Sequence, residues 1–319
     1  MVKIKLRLSQ RMMAGCGWLM LALCLVGFAL ANFRARLLTV QAQSATSPQP
    51  SQTLRFAIIG DSGTGNAAQL AVAQAMEKAH ATQPFDLVLM LGDNFYGAID
   101  FVKKFERPYQ KLLAADVKFY ATLGNHDNGG SMKEMSYPKL NMGGRRYYTF
   151  IRGELEQQPL AQFFALDSTK MDMPQVAWVE KELSHSTARW KIAFFHHPLY
   201  SSGKTHGPDL KLRAQLEPLF TKYRVQLVLN GHEHFYERLK PQQGVQYFIS
   251  GAAGKIRRNN LKREQPDFVF GNDQAQHFML FEVTPALVKF RAISAAGADF
   301  DSGVLPWEPT SRLTAPPDK

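Results

Sequence analysis

The sequence predicts a mainly α/β domain whose strands are buried. Two observations predict it. From Leu54 onward, short apolar runs alternate with longer amphipathic ones, and the first three strand-like runs each end at a glycine followed by polar residues. A 45% apolar content over 319 residues allows a sizeable packed core, and no internal repeat interrupts the pattern.

Taken in order, "LRFAIIG" reads as a strand because it is short, apolar and closed by glycine, and the Ala-rich stretch 66–80 reads as a helix. "DLVLMLG" is a second strand, 101–115 is mostly helical, and "VKFYATLG" is a third strand. The Gly and Met-rich segment 129–144 is expected to be irregular and to form part of a cleft rim. Strands "RRYYTFI" and "AQFFALD" follow, then helix 174–184, strand "WKIAFFH", helix 209–223 and strand "VQLVLNG". The remainder is β-rich, with "VQYFIS", "HFMLFEV" and "LVKFRAI". The tail after Asp301, with Pro306, Pro309, Pro316 and Pro317, is expected to be loosely ordered.

Ahead of this domain the composition changes. The run 15–33 is apolar and carries no charge, which is long enough to span a bilayer core of about 20 helical residues and long for a secretory core. Lys3, Lys5, Arg7 and Arg11 precede it and Arg34 and Arg36 follow, so the charge bias leaves the N-terminus in the cytoplasm and the body outside. Residues 1–42 are therefore expected to be a signal peptide or signal anchor, with "TVQA" as a weak cleavage site. Residues 43–53, rich in Ser, Gln and Pro, read as a linker. Both cysteines, Cys16 and Cys24, lie in the apolar run, so the exported body has no disulfide. Those six basic residues also account for more than half of the +11 net charge, which leaves nucleic acid a poor candidate partner.

The informative polar residues fall at strand ends. "GDSG" carries Asp61, "GDNFY" carries Asp93 and Tyr96, and "GNHD" carries Asn125, His126 and Asp127. Later, "HHP" carries His196 and His197, and "GHEH" carries His232 and His234. One such cluster would be an ordinary turn. Five in a chain whose open sheets bind ligands beyond the strand carboxyl ends point to one crevice. Carboxylates, an amide, imidazoles and a phenol together suit a pair of hard or borderline cations, with Asp93 able to bridge them and Tyr96 able to offer a phenolate to ferric iron.

These ordered segments, "GDSG", "GDNFYG", "GNHD", "HHPLYSSG" and "GHEH", resemble the calcineurin-like metallophosphoesterases, and among them the purple acid phosphatases of the small, tartrate-resistant type. The resemblance covers about 54–300 and implies a four-layer αββα sandwich of two mixed β-sheets flanked by helices, with a dimetal site at the strand carboxyl ends. It implies that Fe(III) is bound by Asp61, Asp93, Tyr96 and His234, and that Fe(II), Zn(II) or Mn(II) is bound by Asp93, Asn125, His196 and His232. Of the adjacent histidines, His196 is then favoured as the ligand over His197. His126 matches the catalytic histidine, Asp127 would orient it, and His206 would be a second substrate-facing histidine. The implied reaction is phosphomonoester hydrolysis by in-line attack of a metal-bound hydroxide on a phosphorylated small molecule or phosphoprotein. Three positions depart from the family: Ser62 replaces a tryptophan, Glu233 replaces an aspartate, and His206 stands one residue late.

Rival readings are weaker. "GTGNAA" fits a dinucleotide fingerprint, but no acidic residue ends the next strand before the "GDNFY" cluster, where Asp93 already has a role. "GKT" at 203–205 lacks the upstream glycine of a phosphate loop. A phosphodiesterase acting on nucleotides or lipids would share the core ligands, although Tyr96 favours the purple phosphatases. A non-catalytic exported phosphate-binding protein is expected to have lost ligands, and here every position is filled. The basic loop "GKIRRNNLKR" at 254–263 reads first as solvated surface.

Overall fold

The computed structural model describes residues 53–307, Asn128 excepted. The apolar run 15–33, its cleavage site and most of the linker lie outside the described residues. Among the described residues no helix is long and apolar enough to cross a membrane.

Two mixed sheets form the centre. In the first, β1 (Leu54–Ile59), β2 (Leu87–Met90) and β3 (Lys118–Ala121) run parallel, and β11 (His277–Val283), β12 (Leu287–Ser294) and β13 (Asp299–Pro306) extend it in antiparallel fashion from β1. In the second, β5 (Pro159–Ala165), β6 (Trp190–Phe195), β7 (Leu227–Asn230) and β9 (Gln246–Ser250) are parallel neighbours, in the order 5-6-7-9. Antiparallel β4 (Tyr148–Glu154) closes one edge; β8 (Tyr236–Leu239) and β10 (Phe268–Asn272) close the other.

Side-chain alternation makes the layers. On β6, Ile192 and Phe194 join the cluster between the sheets, whereas Ala193 and Phe195 join the cluster beneath the helices; on β7, Leu227 and Leu229 face inward and Val228 outward. Phe56 of β1 meets Phe163 of β5 edge to face at 5.3 Å, which joins the two sheets. Such strands are buried on both faces, so they read as unbroken apolar runs. Helices α4 (Met173–His185) and α5 (Leu210–Lys222) cover the outer face of the second sheet through Val179, Leu183, Leu212, Leu216 and Phe220. Helix α1 (Ala67–Thr82), on the first sheet, starts where the Asn66 side chain accepts from the Ala68 and Gln69 N–H groups; Asp172 and Asp209 cap α4 and α5 in the same way. The expected sandwich of two mixed sheets flanked by helices is thus present.

Some elements differ from expectation. Instead of one helix over 101–115, a π-helical turn at Val102–Glu106 gives way at Pro108 to a short α2 (Gln110–Ala114), because proline has no N–H for a continuous ladder. The rim segment contains α3 (Ser131–Ser136), which buries Glu134. The segment after Asp301 is not loose up to Pro306: β13 pairs with β12 from Leu287↔Pro306 to Ile293↔Asp299. Its Asp, Ser and Gly residues hide an edge strand from any apolar pattern, and proline is tolerated at its end. Asp301 also ties the sheets together, accepting from the Tyr236 hydroxyl at 2.7 Å and from Arg238 Nε at 2.8 Å.

Candidate metal centre

All five strand-end clusters meet where the carboxyl ends of β1, β2 and β3 face those of β6 and β7. Asp61, Asp93 and His196 form the floor, each almost wholly buried, whereas Asn125, His126 and His206 are exposed at the mouth. Asp61, Asp93 and His232 all adopt left-handed backbone conformations (φ 55°, 51° and 68°), which residues with a Cβ rarely tolerate. The surrounding fold maintains that strain where it aims these side chains inward.

The side chains fall into two groups joined by Asp93. In one, the Tyr96 hydroxyl donates to Asp61 Oδ1 at 3.0 Å and stands 3.1 Å from His234 Nε2, itself 3.3 Å from Asp61 Oδ1. In the other, His196 Nε2 lies 3.0 Å from Asn125 Oδ1, 3.1 Å from His232 Nδ1 and 3.4 Å from Asp93 Oδ1. The seven expected ligand residues are therefore all brought together. Donor atoms of Asp61, Asp93 and His234 share one space within 4.8 Å, as do those of His196, His197 and His232. His197 is closer to the centre than its sequence position implied, although its Nδ1 is engaged by the Ser168 hydroxyl at 2.9 Å.

This donor set fits a pair of cations. Burial raises the Asp61 carboxyl well above its usual range; His196 opposes that rise and Asp93 beside it adds to it. Burial drives His232 far down and holds His197 and His234 near 4, which keeps the imidazoles neutral as metal ligation requires. Tyr96 is pushed far above an ordinary phenol by burial and by Asp61 and Asp93, so a phenolate here needs a cation. Second contacts fix the rings: His196 Nδ1 donates to the Leu91 carbonyl at 2.9 Å, leaving Nε2 facing the cluster. Gly92 makes that approach possible, since a Cβ there would stand 2.7 Å from His196 Nδ1 and its φ is +87°.

Among the described residues the Asp127 carboxylate makes no hydrogen bond to the His126 side chain. Its oxygens accept backbone N–H groups of Asn94 (3.1 Å), Phe95 (3.0 Å) and Gly124 (2.8 Å), so Asp127 is a strut between the loops after β2 and β3. His126 itself is held by its backbone N–H on Asp93 Oδ1 at 2.9 Å; its ring lies 4.7 Å from the Tyr96 ring, with Nε2 4.0 Å from Asp93 Oδ2. His206 does reach the site despite its displaced sequence position, its ring centre 4.3 Å from that of His232.

Sequence reasoning missed what holds His206 there. Glu233, buried between the two histidines, accepts from Gly207 N–H at 2.8 Å and from Asn260 Nδ2 at 3.1 Å. Glu237 accepts the Ser202 N–H at 3.0 Å in the same loop. The only advance signal was the Glu in GHEH. A cavity of about 690 Å³, bordered by Val102, Glu106, Leu113 and Phe119, shares no residue with the centre.

Residues 54–236 match the family model for calcineurin-like phosphoesterases. The chain is 30% identical over 321 residues to human tartrate-resistant acid phosphatase type 5, covering 87% of this chain and 97% of that protein. It is 26% identical over 299 residues to purple acid phosphatase 4 of Arabidopsis thaliana, covering 83% and 86%. Among solved structures, GAP50 of Plasmodium, described as the anchor in the inner membrane complex, superposes with a TM-score of 0.72 at 20% identity over 81% of this chain and 90% of that one, a likeness of fold alone.

Proposed function

The chain belongs to the calcineurin-like phosphoesterases, and on that premise we propose that it is an exported acid phosphomonoesterase whose two metal ions are held by Asp61, Asp93, Tyr96, Asn125, His196, His232 and His234. It is a phosphoric ester hydrolase with a dimetal centre. The single observation that supports these ligands is their convergence from five separate strand ends onto the two joined groups. Asp93 lies between the groups and would be the residue shared by both ions. Tyr96, Asp61 and His234 suit ferric iron, and Asn125, His196 and His232 suit ferrous iron, zinc or manganese. Bound ions would supply Lewis acidity, polarising phosphoryl oxygens and acidifying water at the site.

The protein's own groups do the rest. Asp127 fixes the loops that carry Asp93 and Asn125. The Leu91 carbonyl holds His196 in the tautomer that presents an Nε2 lone pair inward. His126, at the exposed mouth, offers an N–H to the departing alkoxide and completes its protonation, while His206 flanks the phosphoryl oxygens from the opposite loop. The substrate is a phosphorylated small molecule or phosphoprotein reached through that open mouth. Residues 1–42 deliver the domain outside the cytoplasm, as a cleaved signal or as an anchor; N-terminal sequencing of the exported form distinguishes the two.

The test pairs metal analysis with kinetics. His126→Ala is expected to retain two ions per chain while kcat falls by about 10² to 10⁴. Loss of an ion together with activity would remove His126 from the proton-transfer role and place it among the metal supports.

A further inference from the structure

The loop after β9 carries five cations between Gly254 and Arg263, and they do not behave as one solvated surface. Arg258 turns to the Gln274 carbonyl at 2.8 Å and Arg263 to Asp273 at 3.2 Å, both away from the centre. Lys255 goes the other way. Lys255 Nζ stands 3.7 Å from the centre of the Tyr96 ring, within a ring's length of the hydroxyl that touches Asp61. Arg257 is joined to the centre through its backbone, donating to the His234 carbonyl at 2.9 Å. Among the described residues neither has a carboxylate within ion-pair distance, and Arg257 Nη1 is buried without any hydrogen-bond partner. Burying part of a guanidinium unpaired is costly unless an anion arrives to meet it.

The loop is also held in place before any ligand binds. Asn260 is clamped by Glu233 Oε2 at 3.1 Å and by Asp273 Oδ2 on its N–H at 2.8 Å. Lys204 N–H donates to the Asn260 carbonyl, and Lys262 N–H to that of Ser202, each at 2.8 Å. The loop carrying His206 and the loop carrying the two cations are therefore one ordered wall.

We propose that Lys255 and Arg257 form a second anion subsite beside the metal centre, selecting substrates in which another phosphoryl group adjoins the one being hydrolysed. The inference rests on the phosphoric ester hydrolase reading above. A planar guanidinium fork with a point-charge ammonium suits the several oxygens and double charge of a phosphoryl group better than a single carboxylate. Closeness to Tyr96 calls for a neighbouring group, as in a nucleoside diphosphate, rather than the far end of a long molecule. Water still supplies the incoming oxygen and the bond broken is still the P–O bond of the held phosphoryl group.

The experiment compares ADP with AMP, which share the nucleoside and differ in the adjoining phosphoryl group, on the full metal-loaded chain and on Lys255→Gln, Arg257→Gln and the double variant. Metal content is measured for each. The wild-type ratio of kcat/KM for ADP over AMP is expected to exceed one and to fall about tenfold in each single variant, chiefly through KM for ADP. Calorimetry with methylenediphosphonate and with inorganic phosphate supplies a readout without turnover, and the variants are expected to weaken the former more. A ratio unchanged across the variants, together with equal losses for both calorimetric ligands, would overturn the subsite. If 3-phosphoglycerate gained the same preference over a neutral monoester, phosphoryl selectivity would be overturned as well. A metal-loaded wild type that hydrolyses none of these esters would instead sink the hydrolase reading, while the calorimetric arm would still decide the subsite.

Discussion

Shortening Glu233 by one methylene, Glu233→Asp, restores the residue type usual in the family and should nonetheless damage this protein. In the structure its Oε1 accepts from the Gly207 N–H at 2.8 Å and the Ser201 hydroxyl at 3.4 Å, and its Oε2 accepts from Asn260 Nδ2 at 3.1 Å. Gly203 makes room for it, since a Cβ there would lie 1.8 Å from Oε1. Aspartate withdraws the carboxylate by about 1.5 Å, one C–C bond, so contacts near 3 Å open beyond hydrogen-bond reach. Two donors then lose their acceptor in a buried setting, at about 1–3 kcal/mol each, so roughly 3 kcal/mol of stability should be lost. Because Gly207 follows His206, the histidine loses its placement, and kcat should fall between about tenfold and a hundredfold. Urea unfolding of metal-loaded protein, hydrogen exchange over 201–207 and turnover measure the three effects. A variant within about 0.5 kcal/mol of the parent, with unchanged exchange in that loop, would refute the claim that Glu233 holds it.

Other outcomes follow from the same geometry. Gly92→Ala forces a Cβ to 2.7 Å from His196 Nδ1 and 2.8 Å from Gly124 N in a left-handed backbone, so metal analysis should find fewer ions per chain and unfolding should show a loss of about 2 kcal/mol or more. Tyr96→Phe should bleach the visible absorption of ferric-loaded protein; an unchanged spectrum would take Tyr96 off the ligand set. His277 is fully buried against Tyr236 and Phe300, and burial holds its imidazole near 4, against about 6.5 in the unfolded chain. Between those values only the unfolded chain takes up the proton, so stability should fall as pH drops, by about 1.4 kcal/mol per unit from this group. His277→Phe should flatten the acid side of the stability profile between about pH 6.5 and 4; an identical slope would show that another group controls it.

Elements with a two-faced environment were the legible ones. β1, β2, β6 and β7 are short apolar runs because the opposite sheet covers one face and helices the other. β8 was not legible, since Glu237 and Arg238 are polar residues whose partners, Ser202 and Asp301, are distant in sequence. β13 is an edge strand, and nothing on its solvent side demands apolar residues. At the site, ligand residue types were legible because metal chemistry restricts them, and their position after strands told where they would gather. The role of Asp127 was not, because its partners are backbone N–H groups, which every residue but proline possesses.

The sequence by itself determined the alternation of strands and helices, the inventory of ligands at strand ends and hence the class of reaction, because hydrophobic period and donor chemistry are properties of residue type and spacing. Only the tertiary structure decided that Asp127 braces two loops, that Glu233 and Asn260 join the His206 loop to the basic one, and that Lys255 rather than Arg258 turns toward the Tyr96 ring. Those roles depend on direction and distance between groups such as Glu233 and Gly207, 26 positions apart, or Asp127 and Asn94, 33 positions apart, and a hydrogen bond exists only once folding has brought the two atoms within reach.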